Sequence, residues 1–408
     1  MIDPKIRDRF PMLTSNQMMQ GHPLIYLDNA STTFKPDCVI EAENFYNSLQ
    51  TSNSHRGDYD LSYLVDQHVA ESRALVASFI NADTREVIFT SGATAALNTV
   101  AFGYGLSTLK PGDEILLTLA EHASNLLPWF KVAKMTGAVI RYIPLTKEGR
   151  VTVEAAKQAI GPKTKIVSIA QVTNVLGYEA PVKEIAALVH AQGGVICVDG
   201  AQSVPHIKVD VKDLDCDFLA FSGHKLCAPT GTGILYGKYH ILEKMEPFAL
   251  GGGMNVKFYP SGEMELLPPP TRFEAGTINV GGIYGLAKAI EFIQGVGMDN
   301  IAEHDRMLKA RAVEGLKNCD KITMYNATSE AGIVDFNVNG VFAQDAGTWL
   351  NSKGIACRSG SHCAKILHEH IHTIATVRAS FYFYNTVEEI DTFVDTLVKG
   401  GDFLDAYF

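Results

Sequence analysis

From Val87 to Asp199 the chain alternates short apolar runs with segments of helical period: VIFTSGATAALNTVA, EILLT, LLPWFKVAKM, AVIRYI, VEAAKQAI, KIVSIAQV, VKEIAALVHA and VICVD. Such alternation leaves few folds open. Parallel strands need crossovers, the crossovers are right-handed, and helices on both faces bury the strands, so the pattern predicts an α/β chain with a mostly parallel sheet flanked by helices. Ligands in such sheets collect beyond the carboxyl ends of the strands.

The polar residues of most interest fall at those ends. VICVDGAQSVPH ends an apolar strand on Asp199, and DFLAFSGHKLCAPTGTGILYG carries Lys225 on a turn between two buried strands, Asp217 to Phe221 and Thr232 to Tyr236. A lysine in a surface loop needs no partner. One drawn into a low-dielectric site loses basicity and becomes a nucleophilic amine. A carboxylate at one strand end and a lysine at the next are what pyridoxal phosphate requires, the lysine as Schiff-base partner and the aspartate to keep the pyridine nitrogen protonated.

Other strand ends add to this pair. TSGATAALN runs from a strand through Ser91 and Gly92 into a helix starting near Ala93 and Thr94, which is either a plain helix cap or a phosphate site built from free N–H groups. His122 in AEHASN is either a satisfied loop histidine or an aromatic, titratable ring over a cofactor. Asn174 ends another strand, and Gln202 and His206 follow Asp199. Ala30 and Ser31, in YLDNASTTFKP, form either a plain turn or one that directs backbone N–H groups toward a ligand, and NSHRG sets His55 and Arg56 in a polar loop between two helical segments.

Composition restricts the alternatives. With 408 residues, 46% hydrophobic and 20% charged, the chain is long enough for one large and one smaller domain. A net charge of -10 argues against nucleic acid as a partner. No apolar run reaches the length of a membrane span, and MIDPKIRDRF lacks the apolar core of a signal peptide, so a cytoplasmic location is expected. The seven cysteines are scattered without a CxxC pair, which argues against both a disulfide framework and a zinc module. Most read as small buried hydrophobes. Cys363 differs, because CRSGSHCAK places it on a Ser/Gly-rich loop where Arg358 and His362 would favour the thiolate.

With these blocks assembled, the sequence resembles the class V aminotransferase-fold enzymes, and within them the cysteine desulfurase and selenocysteine lyase group of the SUF type. YLDNASTTFKP, NSHRGDYDLS, AEHASN, VTNVLG, VDGAQSVPH, SGHKLCAPTGTGILYG, RFEAGTINVGG, RSGSHCA and VRASFYFYNTVEEID carry the resemblance over nearly the whole length. It implies a fold-type I, pyridoxal 5'-phosphate-dependent homodimer with its active site at the subunit interface. The large domain would span 17–285 and a smaller α+β C-terminal domain 286–408, with residues 1–16 packing on the latter.

The same resemblance assigns roles. Lys225 would form the Schiff base, Asp199 would meet the pyridine nitrogen, Gln202 the ring hydroxyl, and His122 would stack on the ring. Ala93, through its backbone, with Thr94, Ser222 and His224, would hold the phosphate, and Thr277 would reach the phosphate of the other subunit. Asn174 and Arg378 would hold the substrate carboxylate, a role the paired donors of a guanidinium independently suit. His55, Arg56, Arg358, Ala30 and His362 would complete the substrate pocket.

The implied reaction takes L-cysteine, or L-selenocysteine, to alanine and leaves a persulfide on Cys363 for a SUF-type acceptor protein in iron–sulfur cluster assembly. Selenocysteine lyase and cysteine or cystine lyase chemistry on the same fold remain open, as does a cofactor-bound scaffold without turnover. Two departures stand out: Ala93 replaces a hydroxyl residue common in the family, and Lys365-Ile366 replaces Met-Pro after the Cys-Ala pair.

The remaining pattern reads as architecture. NVKFYPSGEMELLPPPTRFEAG predicts a hairpin leading to Thr277, and helices are expected over Gly282–Gly295, Met298–Leu316, Ala343–Lys353 and Val387–Val398. KITMY, GIVDFNV, GIACR and ATVRAS predict the small-domain strands. In LHEHIH, period-two spacing would set His368, His370 and His372 on one strand face, but nothing completes a metal site there, so a solvated cluster is expected.

Overall fold

Each apolar run of the alternating region forms a strand in the computed structural model, which describes residues 2–54 and 57–401. Strands β1 (Val87–Thr90), β2 (Glu114–Leu117), β3 (Val139–Tyr142), β4 (Thr164–Ala170), β5 (Val195–Asp199), β6 (Phe218–Ser222) and β7 (Gly233–Gly237) make one seven-stranded sheet in the order β1-β7-β6-β5-β4-β2-β3. Strand β7 runs antiparallel to both neighbours, and the other pairings are parallel. Every residue of β5, β6 and β7 is buried, as strands covered on both faces must be. The edge strand β3 instead alternates exposed with half-buried residues.

Glycines set the closest approach in this sheet. A Cβ on Gly233, at the start of β7, would lie 2.4 Å from the Cα of Gly92, so no side chain fits and the turn after β1 presses directly on β7. That contact fixes where the following helix begins.

Helices α1 (Asp37–Phe45), α2 (Asp60–Ile80), α3 (Ala93–Thr99) and α4 (Val280–Val296) belong to this layer. Val65, Val69, Val76 and Ile80 give α2 its buried stripe, at the spacing of one helix face. Arg73, on the same helix, donates to Glu274 Oε1 at 2.7 Å and to Oε2 at 2.8 Å, and lies 4.4 Å from the Phe89 ring centroid. Glu274 also accepts the Phe89 N–H at 2.7 Å, so one buried carboxylate ties α2, β1 and the segment leading to Thr277 together.

Removing one member of a buried pair strands the other charge. Arg73→Met is therefore expected to destabilise the protein by about 3–5 kcal/mol. Replacing Glu274 by Leu in the same chain should recover much of that loss. Guanidinium unfolding midpoints of the two variants check both statements.

A second core forms around β8 (Ile322–Met324), β9 (Ile333–Val338), β10 (Arg358–Gly360) and β11 (Thr376–Ser380), an antiparallel sheet in the order β8-β9-β11-β10. Helices α5 (Met298–Leu316), α6 (Ala343–Ser352) and α8 (Val387–Lys399) cover it through Leu308, Leu316, Trp349 and Phe393, which pack with Phe336 and Phe381. A short helix α7 (Lys365–His370) lies between β10 and β11. The stretch GIACR is not one strand. Ile355–Ala356 pairs in parallel with Ile25–Tyr26, and the chain then passes through Cys357 into β10, which pairs with β11 instead.

The amino-terminal segment is anchored by Phe10, fully buried against Phe292 of α4 and against Phe383 and Tyr384. Arg7 adds an ion pair to Glu389 at 2.8 Å. The expected hairpin is present, with Asn255–Phe258 antiparallel to Met264–Leu266. Among the described residues no helix is long and apolar enough to cross a membrane.

Candidate active site

A cavity of about 170 Å³ opens beyond the carboxyl ends of β4, β5 and β6, where the large sheet meets the second core. Its floor comes from the sheet. Strand β6 ends at Ser222 and breaks into a single turn, Gly223–Lys225, that carries His224 and Lys225 into the cavity. Burial pushes the Lys225 amine down to about 8 while Asp199 opposes that shift, so the amine loses its proton far more readily than an exposed lysine.

Asp199, the last residue of β5, is buried and accepts the Ala201 N–H at 2.9 Å. Burial raises its carboxyl pKa, against the pull of Lys225, which marks it as a carboxylate in want of a cationic partner. Gln202 donates to the Ala30 carbonyl at 2.8 Å and so joins the loop after β5 to the Asn/Ser/Thr turn.

His122 stands on the loop after β2, its Nδ1 accepting the Ser124 N–H at 3.1 Å. Burial first, and then Lys225, Arg358 and Arg378, push its pKa down to about 4, so the ring is neutral with its proton on Nε2. Beside it lies Glu121, which sequence reasoning missed. Its buried carboxyl accepts from Thr118 at 2.7 Å, from Asn125 at 2.8 Å and from the Ala170 N–H at 2.8 Å, and burial raises it to about 7. These bonds lock the loop that presents His122. The available signal was a charged residue ending an apolar run, with hydrogen-bonding side chains at i−3 and i+4.

One end of the cavity is formed by the start of α3. Gly92 adopts φ 149°, and the Ala93 N–H donates to Ser222 Oγ at 2.8 Å. Thr94 Oγ1 shares a 2.7 Å hydrogen bond with Ser124 Oγ, and His224 is held neutral by burial, at about 4. The Ala93 N–H is thus given to Ser222 within the chain.

The opposite end comes from the second core. Arg378 on β11 is buried, and it donates to the Asn174 carbonyl at 2.7 Å, to Ser31 Oγ at 2.9 Å and to Asp28 Oδ1 at 3.2 Å. Arg358 on β10 lies directly opposite Arg378 in the sheet and donates to Ser31 Oγ at 2.8 Å. Among the described residues, Arg378 Nε and Asn174 Oδ1 are buried with no protein partner. A buried donor and a buried acceptor left open beside two guanidinium groups suit a carboxylate-bearing amino acid.

Cys363 is exposed and lines the same cavity, with Arg358 Nη2 3.8 Å from its Sγ. The other thiols differ. Cys197 and Cys227 are buried and pushed up to about 12, which makes them inert packing residues. His362 lines the cavity but does not supply the charge expected of it. Its side chain is fully buried and burial drives its pKa well down, so it is neutral and leaves Arg358 as the cation at the thiol.

Thr277, the two loop residues and the histidine cluster stand apart from this cavity or outside the described residues. Thr277 lines a separate cavity with Thr90, Ser91 and Gly231, away from Lys225 of the same chain. His55 and Arg56 lie outside the described residues. His368, His370 and His372 do not share a strand face, because Lys365–His370 is helical. His368 is buried with Nδ1 3.1 Å from the Ala364 carbonyl, and His370 Nε2 donates to the Thr146 carbonyl at 2.9 Å. The expected solvated cluster is thus in part a packing feature, and among the described residues no group of side chains is arranged to hold a metal ion.

The set suits pyridoxal 5'-phosphate: an amine of lowered basicity, a buried carboxylate one strand away, a neutral aromatic ring above, and a helix start with hydroxyl groups at one end. Comparison with known proteins agrees. Residues 25–393 match the Aminotransferase class-V family. A protein named probable cysteine desulfurase from Halalkalibacterium halodurans is 46% identical over 407 residues, covering 99% of each chain. The apo cysteine desulfurase of Thermococcus onnurineus NA1 superposes with a TM-score of 0.92 at 37% identity, over 98% of this chain and 99% of that one. The S-sulfonic acid form of an Escherichia coli cysteine desulfurase gives 0.89 at 35% identity over 97% of both. A cavity of this composition, at this position in this fold, belongs to a known lineage, and the chain is a member of the class-V aminotransferase family.

Proposed function

We propose that this protein is a pyridoxal 5'-phosphate-dependent cysteine desulfurase that converts L-cysteine to L-alanine and keeps the sulfur as a persulfide on Cys363. The observation that carries this reading is that one cavity holds both the half-buried Lys225 and the exposed Cys363, with Arg378 and Arg358 at its far end. When bound, the cofactor supplies an electron sink for the bond changes at the substrate carbons.

The chain's own groups do the rest. Arg378, with its open Nε, and the Asn174 Nδ2 hydrogen not given to the His362 carbonyl fix the substrate carboxylate, which sets the α-carbon over Lys225. The Lys225 Nζ, at about 8, takes the α-proton and later returns one. Neutral His122 holds a proton at Nε2 on the cavity side of its loop. The Cys363 thiolate, paired with Arg358, forms an S–S bond to the substrate sulfur as the C–S bond breaks. The electron pair of that bond stays with carbon and a proton replaces sulfur, giving alanine. No external oxidant or reductant is consumed.

The persulfide is then delivered to a thiol of an acceptor protein of SUF type, for iron–sulfur cluster assembly. His55 and Arg56 belong to the substrate pocket, and Thr277 serves the site of a second copy in a homodimer. Thr277 supports this by lying in a different cavity from Lys225 of its own chain. A cytoplasmic location accords with seven free cysteines, whose exposed member must stay reduced to react.

Incubation of the purified holoenzyme with L-cysteine, followed by mass analysis of its peptides, tests the reading. The expected result is one alanine per sulfur taken up, and one added sulfur atom on the peptide bearing Cys363. Pyruvate, ammonia and sulfide released directly, with no sulfur on that peptide, would make the protein a C–S lyase instead.

A further inference from the structure

The residue before the nucleophile is tethered in an unusual way. His362 and Cys363 are consecutive and both left-handed, with φ of 49° and 58°. Neither is glycine, so that backbone is held by its surroundings rather than by preference. The His362 ring supplies the hold from within the second core. Its Nε2 lies 3.1 Å from the Thr376 carbonyl and 3.0 Å from Thr376 Oγ1. A carbonyl only accepts, so Nε2 carries the proton. Thr376 Oγ1 spends its own hydrogen on Asp335 Oδ1 at 2.7 Å and is free to accept from the ring. The ring has no exposed surface, nor has the Asp335 side chain behind it.

The main chain of the loop is fixed to the large sheet instead. Asn174 Nδ2 donates to the His362 carbonyl at 2.9 Å, and the Ala123 N–H, next to His122, donates to the Cys363 carbonyl at 2.8 Å. The loop is therefore strung between the two cores: its side-chain anchor enters β11 and β9, and its carbonyls reach the loops after β4 and β2.

We propose that His362 is a positioning residue for the sulfur-transfer step: its ring, seated on Thr376 and backed by Asp335, holds the left-handed pair that presents Cys363 Sγ to Arg358 and to the substrate sulfur. This deepens the desulfurase reading and rests on it. The ring's role is tautomeric and geometric. It donates one hydrogen bond inward and takes no part in binding the substrate carboxylate, which is the work of Arg378 and Asn174.

His362→Asn and His362→Gln, as holoenzymes, test it. Asparagine tolerates left-handed backbone but is too short to span to Thr376, whereas glutamine places an N–H donor near the Nε2 position. For His362→Asn, kcat for alanine formation should fall about a hundredfold with KM for L-cysteine unchanged, since a misplacement of about 1 Å costs that much. Amide hydrogen exchange over residues 361–364 should quicken while that of β5 and β6 does not. His362→Gln should restore most of kcat and the slow exchange.

Wild-type kcat and wild-type exchange in His362→Asn would overturn the proposal. So would a raised KM at unchanged kcat, which would make His362 a substrate-binding group, or a loss that glutamine fails to rescue. Should the wild type itself form no alanine, the desulfurase reading falls, and the exchange measurement still decides whether the ring holds the loop.

Discussion

Lys225→Ala is expected to lower alanine formation from L-cysteine by on the order of 10⁴, with the protein still folded and still binding its cofactor. Nζ is the basic atom on the cavity floor, and burial sets its pKa near 8, close enough to neutrality to both take and return a proton. Retention of the cofactor follows because Asp199, Gln202, His122 and the start of α3 are all held by bonds that do not involve Lys225. Borohydride treatment should fix the cofactor covalently to the wild type and leave it dissociable from the variant. If the variant kept a substantial share of the wild-type rate, another group would have to move the α-proton and the assignment of Lys225 would be wrong.

Cys363→Ala should separate sulfur chemistry from everything that precedes it. Sulfur uptake by the chain is lost, and alanine formation falls by at least about 10³, because a thiol from solution lacks the effective concentration of one held in the cavity. Cofactor absorbance and its response to added L-cysteine should survive, since the thiol's recorded side-chain contact is Arg358 at 3.8 Å. Cysteine titration followed by absorbance, alongside alanine and sulfide assays, distinguishes the two halves of the reaction. Undiminished turnover would mean that the C–S bond breaks without Cys363.

The fold was largely legible because buried strands in a doubly covered sheet must be apolar throughout. VICVD and FLAFS announced both the strands and the ends at which Asp199 and the Lys225 turn would lie. Helix α5 fell on its expected bounds, Met298 to Leu316, because Ile301, Leu308, Ala312 and Leu316 mark one face along its length. What escaped depended on partners distant in the chain. Glu121 is made a buried carboxyl by Asn125 and by Ala170 on another strand, and no local pattern reports that. His362 was visible as a residue beside the nucleophile, but its neutrality is set by burial and by Arg378, and its tautomer by a carbonyl fourteen positions on. GIACR read as one strand because nothing in five residues shows that Ile355 and Arg358 pair with different partners.

The cavity draws its groups from two separately packed bodies. On the proposed reading, Lys225, Asp199 and His122, assigned to electrons and protons at carbon, rest on the seven-stranded sheet, while Cys363, Arg358 and Arg378, assigned to sulfur and the carboxylate, rest on the four-stranded one. The labour is therefore split along a physical boundary. Changes confined to the smaller body are expected to alter which atom is captured and how firmly the substrate is gripped while leaving the cofactor's seat on the larger body in place.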